Sequence, residues 1–354
     1  MATYKNPRDR AIVVGIDDYD DSVDGRIDSL KGCVNDALFF KHWLELPNGG
    51  GLDPNNITSI LSVRPRPAPP NRIRQPAKDD IEDEIISLIN RHQQTGQRVG
   101  RRLYLWFSGH GITPSRDEDE CALLMANAHL LALGRAFPGR WAARDLCWRV
   151  MFEEVVLFMD CCRSVTGLEE TAVGYAAAGN SLAAQGVKYL QGFATKSSAA
   201  SSERILPHPF DPSQPDLQQG VFTHALLEGL RKGTNGQGDV DSASLARYVK
   251  ERAQQLMPIE DNQRPDFAFD ENLLINFGKG EQTSVEVVLA TPAAGFQVRD
   301  GRDLTQLYAF APAAASTQIS LAPGRYLFGS PGLGNSFLIT RIVDILGAHV
   351  RVSL

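Results

Sequence analysis

A chain of 354 residues with 43% hydrophobic and 22% charged content can bury a full core, as one large domain plus a small one or as two mid-sized ones. Its net charge of -6 and the lack of a basic stripe speak against a nucleic-acid binder. Five cysteines, an odd count without paired spacing, give no disulfide framework and no zinc ribbon, and point to free thiols in a reducing compartment.

The polar start, MATYKNPRDR, has no apolar core of a secretory signal, and no apolar run approaches the roughly 20 residues that span a bilayer, so a cytoplasmic protein without a membrane partner is expected. Residues 11–15 (AIVVG) read as a short buried strand. Residues 32–46 carry Val34, Ala37, Leu38 and Leu44 as a helical stripe. A second strand is predicted at 57–63, followed by RPRPAPPNRIRQP, whose prolines forbid regular structure. Ile81, Ile85, Leu88 and Ile89 then mark a helix over 79–93. Strands follow at 103–107 (LYLWF), 155–159 (VVLFM) and 188–193 (KYLQGF), and amphipathic helices at 221–232 and 242–256. Residues 273–277 (LLINF) are expected to close the sheet.

Strands separated by helices predict a mostly parallel α/β sheet covered on both faces, over residues 1–280. From 281 to 354 the pattern changes to short alternating runs (SVEVVLA, GFQV, LYAF, TQISL, RYLFG, FLITRIV, HVRVSL) between Gly/Pro turns, which predicts a small all-β sandwich.

Sites in parallel sheets are built just past the carboxyl ends of strands. LYLWF runs into Ser108, Gly109, His110 and Gly111; VVLFM runs into Asp160, Cys161 and Cys162, and 52 residues separate His110 from Cys162. A lone cysteine most often packs as a small hydrophobe, and a lone histidine most often satisfies a local hydrogen bond. Two such residues at the ends of separate strands, at a spacing close to that of the caspase pattern, point instead to nucleophilic catalysis, in which the imidazole activates the thiol and backbone N–H groups near Gly111 and Cys162 hold an oxyanion. Side chains alternate along a strand, so one of Cys161 and Cys162 faces the site and the other packs; polarity alone leaves open which.

WFSGHG (106–111) and DCCRS (160–164), with LKGCVNDA (30–37), GVFTHALLEGL (220–230) and NQRPDF (262–267), resemble, in order, the blocks of the caspase-like cysteine peptidases, nearest the metacaspase and bacterial orthocaspase branch of peptidase family C14. The resemblance covers roughly residues 8–278. It implies a caspase-like fold and a Cys-His dyad of Cys162 and His110. It also implies an acidic pocket from Asp36, Ser108 and Asp160 that takes arginine or lysine before the scissile bond. Arg163 and the SV after it depart from the family's usual residues at those positions.

The dyad needs no metal or other cofactor. Calcium activation stays open, because the acids Asp117, Glu118, Asp119 and Glu120 after the histidine read first as a solvated loop. The expected partners are a protein or peptide substrate and a protein docked by the β domain. The resemblance implies a role in stress, death or defence, in which one cut activates a partner protein. Self-cleavage after Arg204, in the polar stretch 203–220, is a further expectation. The rival reading is a non-catalytic caspase-like scaffold that binds a signalling partner through its β domain.

Overall fold

The computed structural model describes residues 4–19, 27–62, 75–117, 119–129, 132–165, 186–196, 199–235, 237–258, 261, 263–281, 283–289, 295–301, 304–310, 316–321, 324–332, 336–345 and 349–353. They form two compact units: residues 1–228 with 246–275, and residues 229–245 with 276–354. Among the described residues no helix is long and apolar enough to cross a membrane. The proline-rich stretch 64–76 lies outside them but for its last two residues.

In chain order come β1 (Arg10–Ile16), α1 (Cys33–Glu45), β2 (Ile57–Ser62), α2 (Lys78–Thr95), β3 (Arg102–Gly109), β4 (Gly111–Thr113), β5 (Ala122–Leu124), β6 (Ala136–Pro138) and α3 (Gly139–Trp148). Next are β7 (Glu154–Cys161), β8 (Ser164–Val165), β9 (Lys188–Phe193), the hairpin β10 (Glu203–Leu206) and β11 (Leu217–Gly220), α4 (Val221–Lys232), β12 (Asp239–Asp241), α5 (Ser242–Leu256), β13 (Asp266–Phe269) and β14 (Asn276–Lys279). The main sheet of the first unit runs β13-β9-β7-β3-β1-β2. Its five strands from β9 to β2 are parallel, and β13 pairs antiparallel with β9. Helical crossovers α1, α2 and α3 make that parallel order reachable.

The central strands β3 and β7 are buried along their whole length, which is why they read as continuous apolar runs. Their side chains still alternate. Tyr104, Trp106 and Phe158 meet Phe40 of α1, with ring centroids 6.2, 5.4 and 6.0 Å away. Leu103, Leu105, Phe107, Leu157, Met159 and Cys161 instead join a core with Ile81, Ile85 and Ile89 of α2. Even-numbered positions of these two strands therefore face α1, and odd-numbered ones face α2.

Residues 273–277 do not close the sheet as the sequence suggests. β13 does so, seven residues earlier at its start, and 276–279 pair as β14 with β12 in the second unit. An apolar run of five does not say which strand it will pair with. A small second sheet, β6-β5-β4-β8, extends the ends of β3 and β7.

The second unit adds β15 (Thr283–Val288), β16 (Gln297–Asp300), β17 (Gln306–Ala309), β18 (Ser316–Leu321), β19 (Gly324–Pro331), β20 (Phe337–Ile345) and β21 (His349–Ser353). They make two sheets, β18-β15-β21 and β17-β16-β19-β20. Val285, Val287, Ile319 and Val352 of one share a core with Val298, Tyr326, Phe328 and Ile345 of the other, a two-layer sandwich. The unit also takes in residues 229–245, which run from the last turn of α4 through β12 to the first turn of α5.

Candidate active site

β3 and β7 run side by side with Gly109 opposite Cys161, and β4 and β8 continue the same offset with Ile112 opposite Ser164. The 52 residues between His110 and Cys162 are thus a register: the two occupy matching positions on neighbouring chains, between two pairs of strands that share it. Gly111 makes the close approach possible, since a Cβ there would lie 2.3 Å from the Cys162 carbonyl oxygen and 2.6 Å from Cys161 Cβ.

The alternation resolves the two thiols. Cys161 is 1% exposed and packs in the α2-side core, whereas Cys162 is half-buried past the strand end. The imidazole Nε2 of His110 lies 2.7 Å from the Asp28 carbonyl oxygen, and its backbone N–H donates to the Tyr19 hydroxyl at 2.8 Å. A carbonyl only accepts, so in the neutral ring Nε2 carries the proton and Nδ1 is the basic nitrogen. The Cys162 sulfur accepts the Ser201 N–H at 3.2 Å and lies 3.9 Å from the Ser201 carbonyl oxygen. Burial pushes its thiol pKa up, offset in part by that N–H.

By the same alternation Ser108 and Asp160 face α1, where Asp36 sits in the first turn. All three are buried. Asp36 Oδ2 accepts the Gly220 N–H at 2.9 Å, and Asp160 Oδ2 accepts the N–H and hydroxyl of Thr223 at 2.9 and 2.8 Å. Asp160 Oδ1 accepts the Ser201 hydroxyl at 2.9 Å. The two carboxylates close on Gly220: a Cβ there would lie 2.0 Å from Asp160 Oδ2 and 2.9 Å from Asp36 Oδ2. Burial, and then the neighbouring Asp160, lifts the Asp36 carboxyl well above the usual range; burial raises Asp160 too, against its hydrogen bonds from Thr223 and Ser201.

The caspase domain of the C14 peptidases matches residues 8–272. The chain belongs to that family. It is also 28% identical over 156 residues to a probable protease of a Desulfuromonadales bacterium, a match covering 44% of this chain and 18% of the relative's length. Caspase-1 of Spodoptera frugiperda superposes with a TM-score of 0.48 at 14% identity, over 79% of this chain and 93% of its own.

Around this caspase-domain site the structure gathers residues that the sequence did not single out. Asp17, just past the end of β1, accepts the N–H groups of Cys33 and Val34, and Glu203 accepts those of Lys31 and Gly32. The ligand atoms of Asp17, Cys33 and Glu203 all lie within 4.8 Å of one another, but the amides at the start of α1 already engage both carboxylates. The rule that singled out His110 and Cys162, a strand's carboxyl end, would have flagged Asp17. Gly220 and Thr223 fall in the GVFTHALLEGL block, but no local signal says that they, Glu203 or Ser201 reach this site; they come from the hairpin and the segments flanking it.

The acidic loop after the histidine is not uniformly solvated. Glu120 is 2% exposed and accepts the N–H groups of Cys121, Arg140 and Trp141, at the start of α3, and burial lifts its pKa to about 7. Asp119 pairs with Arg140 at 3.0 Å, and its carbonyl oxygen accepts from Arg163 at 2.9 Å, while Glu118 lies outside the described residues. Arg163 is turned to this loop and to Asp266, 3.7 Å away, with its guanidinium 4.9 Å from the Phe193 ring. Arg204 is no loop residue: it lies within β10, opposite Gln219, and pairs with Asp261.

Proposed function

We propose that the chain is a cysteine endopeptidase that cuts proteins after arginine or lysine. The observation that carries this reading is that two buried carboxylates, Asp36 and Asp160, close on Gly220, and that Asp160 stands two residues before Cys162, the cysteine in register with His110. Asp160 adds to the burial that lifts the Asp36 pKa, and a guanidinium or ammonium set between the two carboxylates would relieve both. Asp36 Oδ1 has no hydrogen-bond donor among the described residues, and a cationic side chain would supply one.

In the reaction, Nδ1 of His110 takes the Cys162 proton as the sulfur attacks the scissile carbonyl carbon. Because burial raises the thiol pKa, attack depends on this base and not on a standing thiolate. The N–H groups of Gly111 and Cys162 hold the tetrahedral oxyanion, His110 hands the proton to the leaving amine, and water then releases the acyl group. A single cut of this kind, made in a partner protein, suits a role in stress, death or defence signalling.

The test is hydrolysis of fluorogenic peptides ending in Arg, Lys or Asp by the wild type and Cys162→Ala, with and without calcium. Turnover of the Arg and Lys peptides, lost in the variant, is expected, and the calcium lanes read any metal requirement. Turnover of the Asp peptide alone would overturn the pocket; no turnover of any peptide would favour a binding scaffold.

A further inference from the structure

One residue touches both halves of the site. The Ser201 hydroxyl donates to Asp160 Oδ1 at 2.9 Å, its N–H donates to the Cys162 sulfur at 3.2 Å, and its carbonyl oxygen lies 3.9 Å from that sulfur. These are the hydrogen-bond contacts of the thiol among the described residues, and His110 is not one of them; the imidazole is held at Nε2 by Asp28. The segment around Ser201 is tied on either side. The Arg163 N–H donates to the Ala199 carbonyl at 3.0 Å, and the Ser202 N–H donates to Gln263 Oε1 at 2.9 Å. The backbone of residues 199–202 therefore lies along the cysteine, engaging it through the groups that an extended substrate would offer.

We propose that Ser201 is a latch that keeps Cys162 from His110 until a cationic side chain enters the pocket and takes the Asp160 carboxylate away from it. The inference rests on the reading of Asp36 and Asp160 as a cation pocket. A guanidinium forms two hydrogen bonds to a carboxylate and outcompetes one hydroxyl. With its side chain released, the Ser201 peptide is held only through Ala199 and Ser202 on either side and can turn off the sulfur, which leaves the thiol free to turn to Nδ1. Filling the pocket thus readies the nucleophile, so that proteins without a basic residue meet a thiol that is not engaged with its base.

The latch is tested by the rate at which iodoacetamide alkylates Cys162 in the full chain, followed by peptide mass spectrometry, with agmatine as the pocket probe. Wild type should react slowly and speed up about tenfold when agmatine saturates, the order expected for loss of one hydrogen bond to a charged group. Ser201→Ala should react fast from the start and ignore agmatine, while Ser201→Thr, which keeps the hydroxyl, should behave as wild type. Ser201→Ala reacting at the slow wild-type rate would overturn the latch. Agmatine that competes with an arginine peptide yet leaves wild-type alkylation unchanged would overturn the latch and spare the pocket. Agmatine that does neither would overturn the pocket reading, and the latch's trigger with it.

Discussion

Asp36 is a fully buried acid with one oxygen that lacks a donor among the described residues, beside a second buried acid, an arrangement that costs the folded chain stability. Because its folded pKa is raised, the protein loses stability as pH rises through that pKa, and the loss is absent below the unfolded value. Asp36→Asn removes the titration while leaving an oxygen for the Gly220 N–H. In urea titrations the difference between variant and wild type should shift toward the variant from pH 5 to pH 8; a constant difference would show that the folded pKa of Asp36 is not raised as far as that window. The same substitution should lower kcat/KM for an arginine peptide by about 100-fold or more, the order for removing one partner of a buried charge pair. A gain in alkaline stability alongside a loss of activity would mark Asp36 as a residue kept for binding.

At the scale of elements, the site depends on two neighbouring strands keeping one offset across a break between β3 and β4. Gly111→Ala would press a methyl on the Cys162 carbonyl and spread the two chains. Chemical denaturation should show a loss of about 1 to 3 kcal/mol, with peptide turnover falling further than the stability loss explains. Glu120 secures the small sheet to α3. Since its pKa is raised from 4.5 to about 7, it opposes folding increasingly as pH climbs through that interval, and Glu120→Gln should flatten the slope of stability with pH there by one proton's worth, about 1.4 kcal/mol per unit. Strands and helices were legible because periodicity is local: 188–193, 221–232 and 242–256 appear with the bounds that their sequence suggests. The acidic loop was not, because nothing local tells that Glu120 meets the amides of a helix that starts 19 residues later.

For the whole molecule, the change of pattern near residue 280 was plain in the sequence, whereas the return of 229–245 to the second unit was not, since strand pairing at long range leaves no periodic mark. β12 pairs with β14, and the Arg231 carbonyl accepts the Glu281 N–H at 2.6 Å. A chain cut after residue 275 leaves β12 without its partner in the middle of the polypeptide, and one cut after 281 keeps it. Thermal unfolding should therefore begin at a lower temperature for the shorter chain; equal midpoints would show that β14 contributes nothing on its own. The two buried carboxylates show the same limit at larger reach. Asp36 and Asp160 were marked by resemblance, but Gly220, Thr223 and Ser201 come to them from beyond β9, and only the fold brings them in.

The shared offset also says what a spatial frameshift would do. One extra residue inside β7 would carry Cys161 into the position of Cys162, so a thiol would still stand in line with His110, but Asp160 would turn to the opposite face of the sheet. If Asp160 binds arginine as proposed, such a chain would remain open to an alkylating reagent while blind to arginine. On the proposed reading, adjacent cysteines make the nucleophile tolerant of a slip that the carboxylate does not survive, and a labelled thiol is by itself no proof of an intact recognition site.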